Sequence, residues 1–316
     1  MEWRTKILDS VSTISFPFQE EYETQKKQTL VYSFLRLDQS VMLSSEGTNM
    51  VFKSYQSQVE LLLQNYVHAD PVILCTSVIS GIFACKLIYD LSQLMSPGYF
   101  KSYSSLAKSK QIEWNNRAIS TSHAIFIATM SLYLTLCSDL YSDDQLRGPI
   151  TLRSSKLSTS ALGVSVGYFI TDLGMILWFY SSLEGMEYVI HHLLSLTGVT
   201  YAMLTGEAQV YTFMVLISEA TTPVINLRWY LDEAGMKRSR AYIINGVVMF
   251  LAWLVARILL FVYLFYHAYL HYNQVKQMYL FGRVLVLVAP SVLTVMNLIW
   301  FWKIFEGLKK TLAKRH

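Results

Sequence analysis

The stretch 160-SALGVSVGYFITDLGMILWFY-180 decides the fold, because it runs for 21 residues with a single charged side chain, Asp172. A helix needs about 20 mostly apolar residues to cross the hydrocarbon core of a bilayer. The rest of the chain has the same character, with 53% hydrophobic and 15% charged residues among 316 and a mean hydropathy of +0.33. This composition excludes an ordinary soluble domain and indicates an integral membrane protein.

Six further stretches meet or approach the same length, which predicts an all-α, multi-pass transmembrane helix bundle of about seven spans. The fourth span is short, and the fifth carries Glu219, Pro223 and Asn226, so these two are expected to form a tight hairpin or a broken helix. The predicted spans are 72–95, 118–138, 159–180, 187–205, 208–231, 241–268 and 281–305.

Lysine and arginine are distributed unequally between the two sides of these spans, and the richer side is expected to face the cytosol. With seven spans, this rule places the C-terminus in the cytosol and the N-terminus across the membrane. The richer side holds Lys101, Lys108, Lys110, Arg117, Lys237, Arg238, Arg240, Lys303, Lys309, Lys310, Lys314 and Arg315. Residues 1–70 are rich in polar side chains and are interpreted as a weakly ordered extension, followed by a first helix and loop over 71–109.

Ionisable residues near the middle of apolar spans are costly, and they mark functional sites by default. The fourth span contains His191 and His192, and the neighbouring spans contain Asp172 and Glu219. A histidine is a suitable general base, and a carboxylate on its second ring nitrogen fixes its tautomer. These four residues are the candidate catalytic residues. The alternative, left open by the sequence, is a buried polar cluster that only holds the helices in register.

Other polar side chains follow by helical spacing and are candidate ligand-binding residues. Arg257 is a permanent cation deep in the sixth span, so it should pair with Asp172 or Glu219. For His123 the sequence leaves open a role in the site or a simple hydrogen bond between helices. The complete candidate set is His123, Tyr168, Ser195, Thr222, Asn226 and Arg257.

The segment Gly163-x-Ser165-x-Gly167 formally matches the nucleophile elbow of serine hydrolases. An elbow requires a strand, a strained turn and a helix, whereas this segment reads as continuous helix. Two glycines four residues apart are typical of close helix packing in membranes. The motif therefore predicts a helix contact. No Cys/His spacing indicates a zinc site, so no metal is expected.

Several motifs together resemble the TLC domain, and within that family the subgroup called TLC domain-containing protein 4. The resemblance covers 110–308 and leaves 309–316 as a basic tail. It implies a domain with a core of six spans, in a multi-pass endomembrane protein that acts in lipid synthesis, sensing or homeostasis. It rests on 112-IEWNNR-117, Ser122-His123, Gly167-Tyr168 with Asp172, the pair His191-His192, 219-EATTPVINLRW-229 and 243-IINGVVM-249.

The same superfamily includes the ceramide synthases, whose paired histidines match His191 and His192 and whose first downstream aspartate matches Glu219. Ser218 stands where those enzymes have histidine, and Thr222 stands where they have a second aspartate. The resemblance thus implies a lipid-binding or lipid-sensing protein of the endoplasmic reticulum or Golgi membrane. The alternative is a histidine-dependent acyltransferase with acyl-CoA as co-substrate. Membrane lipids are the expected partners, with no nucleic acid and no resident cofactor.

Overall fold

A computed structural model describes residues 70–142, 148–179 and 185–313, and all regular structure in these ranges is helical. The predicted extension, except for Asp70, lies outside the described residues. The helices are α1 (Pro71–Tyr99), α2 (Lys101–Ser105), α3 (Lys108–Leu132), α4 (Lys156–Trp178), α5 (Met186–Thr205), α6 (Gln209–Leu216), α7 (Thr222–Glu233), α8 (Arg240–Trp253), α9 (Leu260–Leu270), α10 (Tyr272–Val275) and α11 (Leu280–Ala313).

Six helical segments of the described chain are long and apolar enough to cross a membrane, so the predicted multi-pass helical bundle is confirmed. Three of them join shorter elements. A π-helical turn, Tyr133–Cys137, extends α3; a second, Leu254–Leu259, connects α8 to α9; a 3-10 turn, Ile217–Thr221, connects α6 to α7. The six are Pro71–Tyr99, Lys108–Cys137, Lys156–Trp178, Gln209–Glu233, Arg240–Leu270 and Leu280–Thr311.

The short fourth span of the sequence analysis is helix α5, with 20 residues. At about 1.5 Å per residue it is about 30 Å long, but its polar side chains keep it out of the six apolar segments. Only Gly206, Glu207 and Ala208 separate it from α6. Gly206 (φ 75°) and Ala208 (φ 58°) adopt left-handed backbone, which makes the reversal tight, and the Ala208 N–H donates to the Thr151 carbonyl at 2.8 Å. The expected hairpin is therefore present.

The fifth span is broken, as its sequence predicts. The 3-10 turn Ile217–Thr221 interrupts it at Glu219, and Pro223 occupies the first turn of α7. Proline has no N–H to donate and is tolerated at the start of a helix. The break therefore places the Glu219 carboxylate at an irregular point in the bundle.

Glycines allow α1 and α4 to pack with their backbones close together. A Cβ on Gly163 would overlap the Ser77 hydroxyl, and a Cβ on Gly167 would overlap the Val78 carbonyl of α1. From the other side, a Cβ on Gly81 would overlap the Val164 carbonyl of α4. The prediction of helix packing through these glycines is confirmed, and the uninterrupted helix α4 excludes a nucleophile elbow.

Two groups of contacts join the helices near their ends. In the first, the Trp114 ring lies 5.3 Å from Phe100 and 4.4 Å from Tyr230, which links α3 to α7 and to the residue that follows α1. At the ends of other helices, the Ile150 N–H donates to the Gln274 side chain at 2.7 Å. The first group is the end where the basic residues of the sequence concentrate.

Candidate functional site

A cavity of about 440 Å³ lies inside the bundle, between α3, α4, α5, the broken fifth span, α8 with its π-helical turn, and α11. Glu219 and Asp232, which both line it, are thirteen residues apart in the broken span. At about 1.5 Å per residue, the cavity extends about 20 Å along the bundle. Its ionisable lining residues are Arg117, Asp172, His191, His192, Glu219, Arg228, Asp232, Arg257 and Lys303.

His192 and Asp172 form the closest histidine–carboxylate pair in this cavity. The distance from His192 Nδ1 to Asp172 Oδ2 is 3.2 Å, although the direction is not that of a hydrogen bond. The Asn116 amide donates to the other oxygen, Asp172 Oδ1, at 2.9 Å. The carboxylate is thus fixed by α3 beside the imidazole, in the position from which it can orient a base.

His191 lines the same cavity, although adjacent residues on a helix diverge by about 100°. Its ring contacts the edge of His192 at 5.5 Å and Trp300 of α11 at 5.7 Å. Tyr188, one turn earlier on α5, stacks on Trp300 at 5.6 Å. Both histidines thus line one cavity, and Trp300 forms part of its wall on the side of α11.

Three buried polar atoms at this cavity lack a hydrogen-bond partner in the described part of the chain, namely Nδ1 of His191, Nδ1 of His192 and Oδ1 of Asn116. Buried polar atoms in native proteins are almost always bonded to protein, water or ligand. An unsatisfied polar atom costs about 1–3 kcal/mol. The protein itself thus leaves these atoms at the cavity walls unbonded.

Arg257 lies in the π-helical turn and is buried, with 5% of its surface exposed. The sequence predicts Asp172 or Glu219 as its partner, and the structure selects Glu219, with 3.5 Å from Nη2 to Oε1. The guanidinium also donates to Thr221 Oγ1 at 2.8 Å. On the opposite side, the Thr222 hydroxyl donates to Glu219 Oε2 at 2.8 Å. The carboxylate is thus held between a cation and a hydroxyl.

Asn226 lines the cavity, but its amide is occupied by α3. Its two N–H donors are shared among three acceptors, the Arg117 carbonyl at 3.1 Å, Ser120 Oγ at 2.8 Å and Thr121 Oγ1 at 2.9 Å. Its oxygen accepts from Arg117 Nη1 at 2.9 Å. The residue predicted to bind a ligand therefore joins α7 to α3.

The structure does not bring two of the predicted binding residues to this cavity. His123 lies behind Tyr168, stacked on its ring at 3.8 Å, with Nε2 at 3.1 Å from the Ser165 hydroxyl. Of His123, Tyr168 and Ser165, only Tyr168 lines the cavity. Ser195 lines a separate, mostly apolar cavity of about 70 Å³ between α5, α6 and α11. Ser165 is fully buried and therefore has no access for a substrate.

The sequence analysis missed several contributors to the cavity. Asn116 precedes the predicted second span and Trp300 lies in the predicted seventh; both line the cavity, but neither carries a charge, so the cost of burying charge does not single them out. Arg228 also lines the cavity, although the sequence analysis does not include it among the candidate residues. Its position three residues before the end of the predicted fifth span offered the only signal. No group of three or more His, Cys, Asp or Glu residues in the described ranges is arranged to hold a metal ion.

Comparison with known proteins places these observations in a family. The TLC domain model matches residues 113–306. The chain is 27% identical to TLC domain-containing protein 4-A of Xenopus laevis over 252 residues, covering 78% of this chain and 95% of that protein. It is 28% identical to TLC domain-containing protein 4 of Homo sapiens, covering 71% and 83%. It is 21% identical to TLC domain-containing protein 4 A of Dictyostelium discoideum, covering 74% and 88%.

Proposed function

The chain belongs to the TLC domain family, and on that premise we propose that it acts in lipid homeostasis by binding or sensing a lipid in the cavity around His191 and His192. The observation that carries the proposal is the set of unsatisfied buried polar atoms on the walls of this cavity. Ligand sites combine apolar and aromatic walls with a few convergent polar groups. Here Trp253 and Trp300 supply the aromatic walls.

A lipid is the ligand class that this location favours. The cavity lies within the membrane-spanning segments, where a ligand with acyl chains arrives from the bilayer. Polar groups at this depth are expensive and are kept when they serve a site. The polar walls are suited to a headgroup, while the chains remain among apolar side chains.

We assign the protein to the endoplasmic reticulum or Golgi membrane, in line with the resemblance to endomembrane lipid proteins, with the C-terminus in the cytosol. The basic end of the bundle supports this orientation by the positive-inside rule. The assignment requires that α5 also crosses the bilayer. Epitope tags at either terminus, probed in selectively permeabilised cells, test it. Both tags accessible from the cytosol would exclude seven crossings.

Histidine-dependent acyl transfer is the second candidate, favoured by the 3.2 Å separation of His192 Nδ1 and Asp172 Oδ2. The imidazole would take a proton from an amine or hydroxyl lipid, whose nitrogen or oxygen attacks the thioester carbonyl of an acyl-CoA. The thiolate of coenzyme A leaves and receives a proton, and the new amide or ester is the product. Ser218 and Thr222, where ceramide synthases have histidine and aspartate, favour the binding function over this one.

One experiment separates the two candidates. The full-length protein is purified, its co-purifying lipids are identified by mass spectrometry, and it is incubated in liposomes with acyl-CoA and a panel of amine and lysolipid acceptors. The His191→Ala/His192→Ala double variant is processed in parallel. His271→Ala is the matched control, because this histidine lies after α9 and does not line the cavity.

A lipid retained by the wild type and the control but lost from the double variant supports the binding function. A new acylated product formed by the wild type and the control alone identifies an acyltransferase. Lipid content that is identical in all three proteins, with no product, contradicts both candidates.

A further inference from the structure

The charges that line the cavity do not cancel completely. Most of the ionisable groups have partners of opposite charge. Arg117 pairs with Glu113 at 2.8 Å, Arg257 with Glu219 at 3.5 Å, Asp232 with Lys237 at 2.6 Å, and Asp172 lies 3.2 Å from His192.

Two cations remain after this pairing. Neither Arg228 nor Lys303 forms an ion pair with a carboxylate in the part of the chain that the structure describes. Both line the cavity, and both lie in the C-terminal halves of their helices, α7 and α11, on the side where the basic residues of the protein concentrate. The end of the cavity near α7 and α11 therefore carries unbalanced positive charge.

Arg228 is held in place by α8. Its Nη1 donates to the Tyr242 carbonyl at 3.1 Å, and the guanidinium lies 3.9 Å from the centre of the Tyr242 ring. Gly246 leaves room for it, since a Cβ there would come within 2.8 Å of Nη1. A guanidinium has five N–H donors, and the Tyr242 carbonyl is its only acceptor among the described residues. The remaining donors are available to a ligand.

A planar guanidinium binds phosphate oxygens in a bidentate manner, and a lysine ammonium adds a point charge. Trp229 and Tyr242, which line the same part of the cavity, are residue types that concentrate at headgroup depth. We propose that Arg228 and Lys303 bind the phosphate of an anionic phospholipid whose headgroup enters the cavity. This inference rests on the proposed function, because it presupposes a lipid in the cavity and adds the chemistry of its head.

The test measures binding of dioctanoylphosphatidic acid to the full-length protein by native mass spectrometry. Dioctanoylglycerol, with the same chains and no phosphate, and inorganic phosphate alone are the comparison probes. The variants are Arg228→Gln and Lys303→Gln. Lys309→Gln is the matched control, since this exposed lysine is on the same helix and does not line the cavity. Thermal melting verifies that each variant is folded. Lys303 is exposed, so Lys303→Gln should fold and can test the proposal even if Arg228→Gln does not fold.

We expect one phosphatidic acid per chain, bound more tightly than dioctanoylglycerol. Loss of a charged hydrogen bond should weaken this binding about 10- to 100-fold in Arg228→Gln and to a smaller extent in Lys303→Gln, with no change in Lys309→Gln. Equal binding of the two lipids would overturn the phosphate assignment and leave the lipid-binding function intact. Tight binding of inorganic phosphate alone, lost in Arg228→Gln, would overturn the assignment to a lipid. Failure to bind either lipid would overturn the lipid-binding function as well.

Discussion

Replacement of Asn226 by alanine should destabilise the bundle, because both N–H donors and the oxygen of this amide bond to α3, which makes three hydrogen bonds between α7 and α3. Hydrogen bonds between helices in a membrane contribute about 0.6 kcal/mol each, and those in soluble proteins about 1 kcal/mol. Three bonds therefore predict a loss of about 2–3 kcal/mol. At roughly 2–4 °C per kcal/mol, the melting temperature should fall by about 4–12 °C. The side chain is only 3% exposed, so water cannot easily replace these bonds.

The assay is a thermal ramp in detergent followed by intrinsic tryptophan fluorescence. Asn273→Ala is the matched control, because this asparagine is exposed in the short helix α10, and its melting temperature should equal that of the wild type. The reasoning is refuted if Asn226→Ala melts with the wild type. Lipid content lost at unchanged stability would show that the amide contacts a ligand, as the sequence analysis predicted.

Three further substitutions probe other parts of the bundle. Gly167→Leu should prevent folding, because the new side chain would overlap α1; the measurement is loss of the monodisperse peak in size-exclusion chromatography. Gly174→Leu is the control, since this glycine lies on the same helix with open space around it, and this variant should fold. Equal behaviour of the two variants would contradict the packing argument. Arg257→Met should lower the free energy of unfolding by about 3–5 kcal/mol, because it leaves the Glu219 carboxylate unpaired. Adding Glu219→Gln to this variant should restore part of the lost melting temperature. If the losses of the two single variants simply add in the double variant, the two side chains do not form a pair. His192→Ala should leave the melting temperature within a few degrees of the wild type while the bound lipid is lost, and a large fall in melting temperature with lipid retained would indicate a polar cluster that only holds the helices.

The helices were predictable from the sequence because each depends on its own length and composition. The broken fifth span is an example, since Pro223 removes a donor wherever it stands. The number of spans could not be predicted in the same way. Helix α5 forms, yet its histidines reduce the apolar character by which spans are counted.

The composition of the cavity could be predicted in part. The cost of burying charge explains why Asp172, Glu219 and Arg257 face the interior, but it does not choose between two carboxylates as the partner of Arg257. That choice depends on how far apart the helices lie, which the sequence does not encode locally. Helical spacing grouped Ser195 with His191 because the two residues lie one turn apart on the same face of α5. In the structure they line different cavities, since the neighbouring helices divide the space along that face.

The π-helical turn Leu254–Leu259 divides the sixth span into two halves whose side chains face in different directions. A π turn amounts to one residue inserted into an α-helix, so the face presented by α9 is rotated by about 100° from where a regular helix would continue α8. Trp253, before the turn, donates to the Asn297 carbonyl of α11, while Leu264, after it, packs in the core with Tyr211 and Met214 of α6. In a regular helix without the extra residue, Leu264 would be rotated by about 100° away from this core. The insertion at Arg257 thus allows one continuous span to serve the cavity at one end and a separate apolar core at the other.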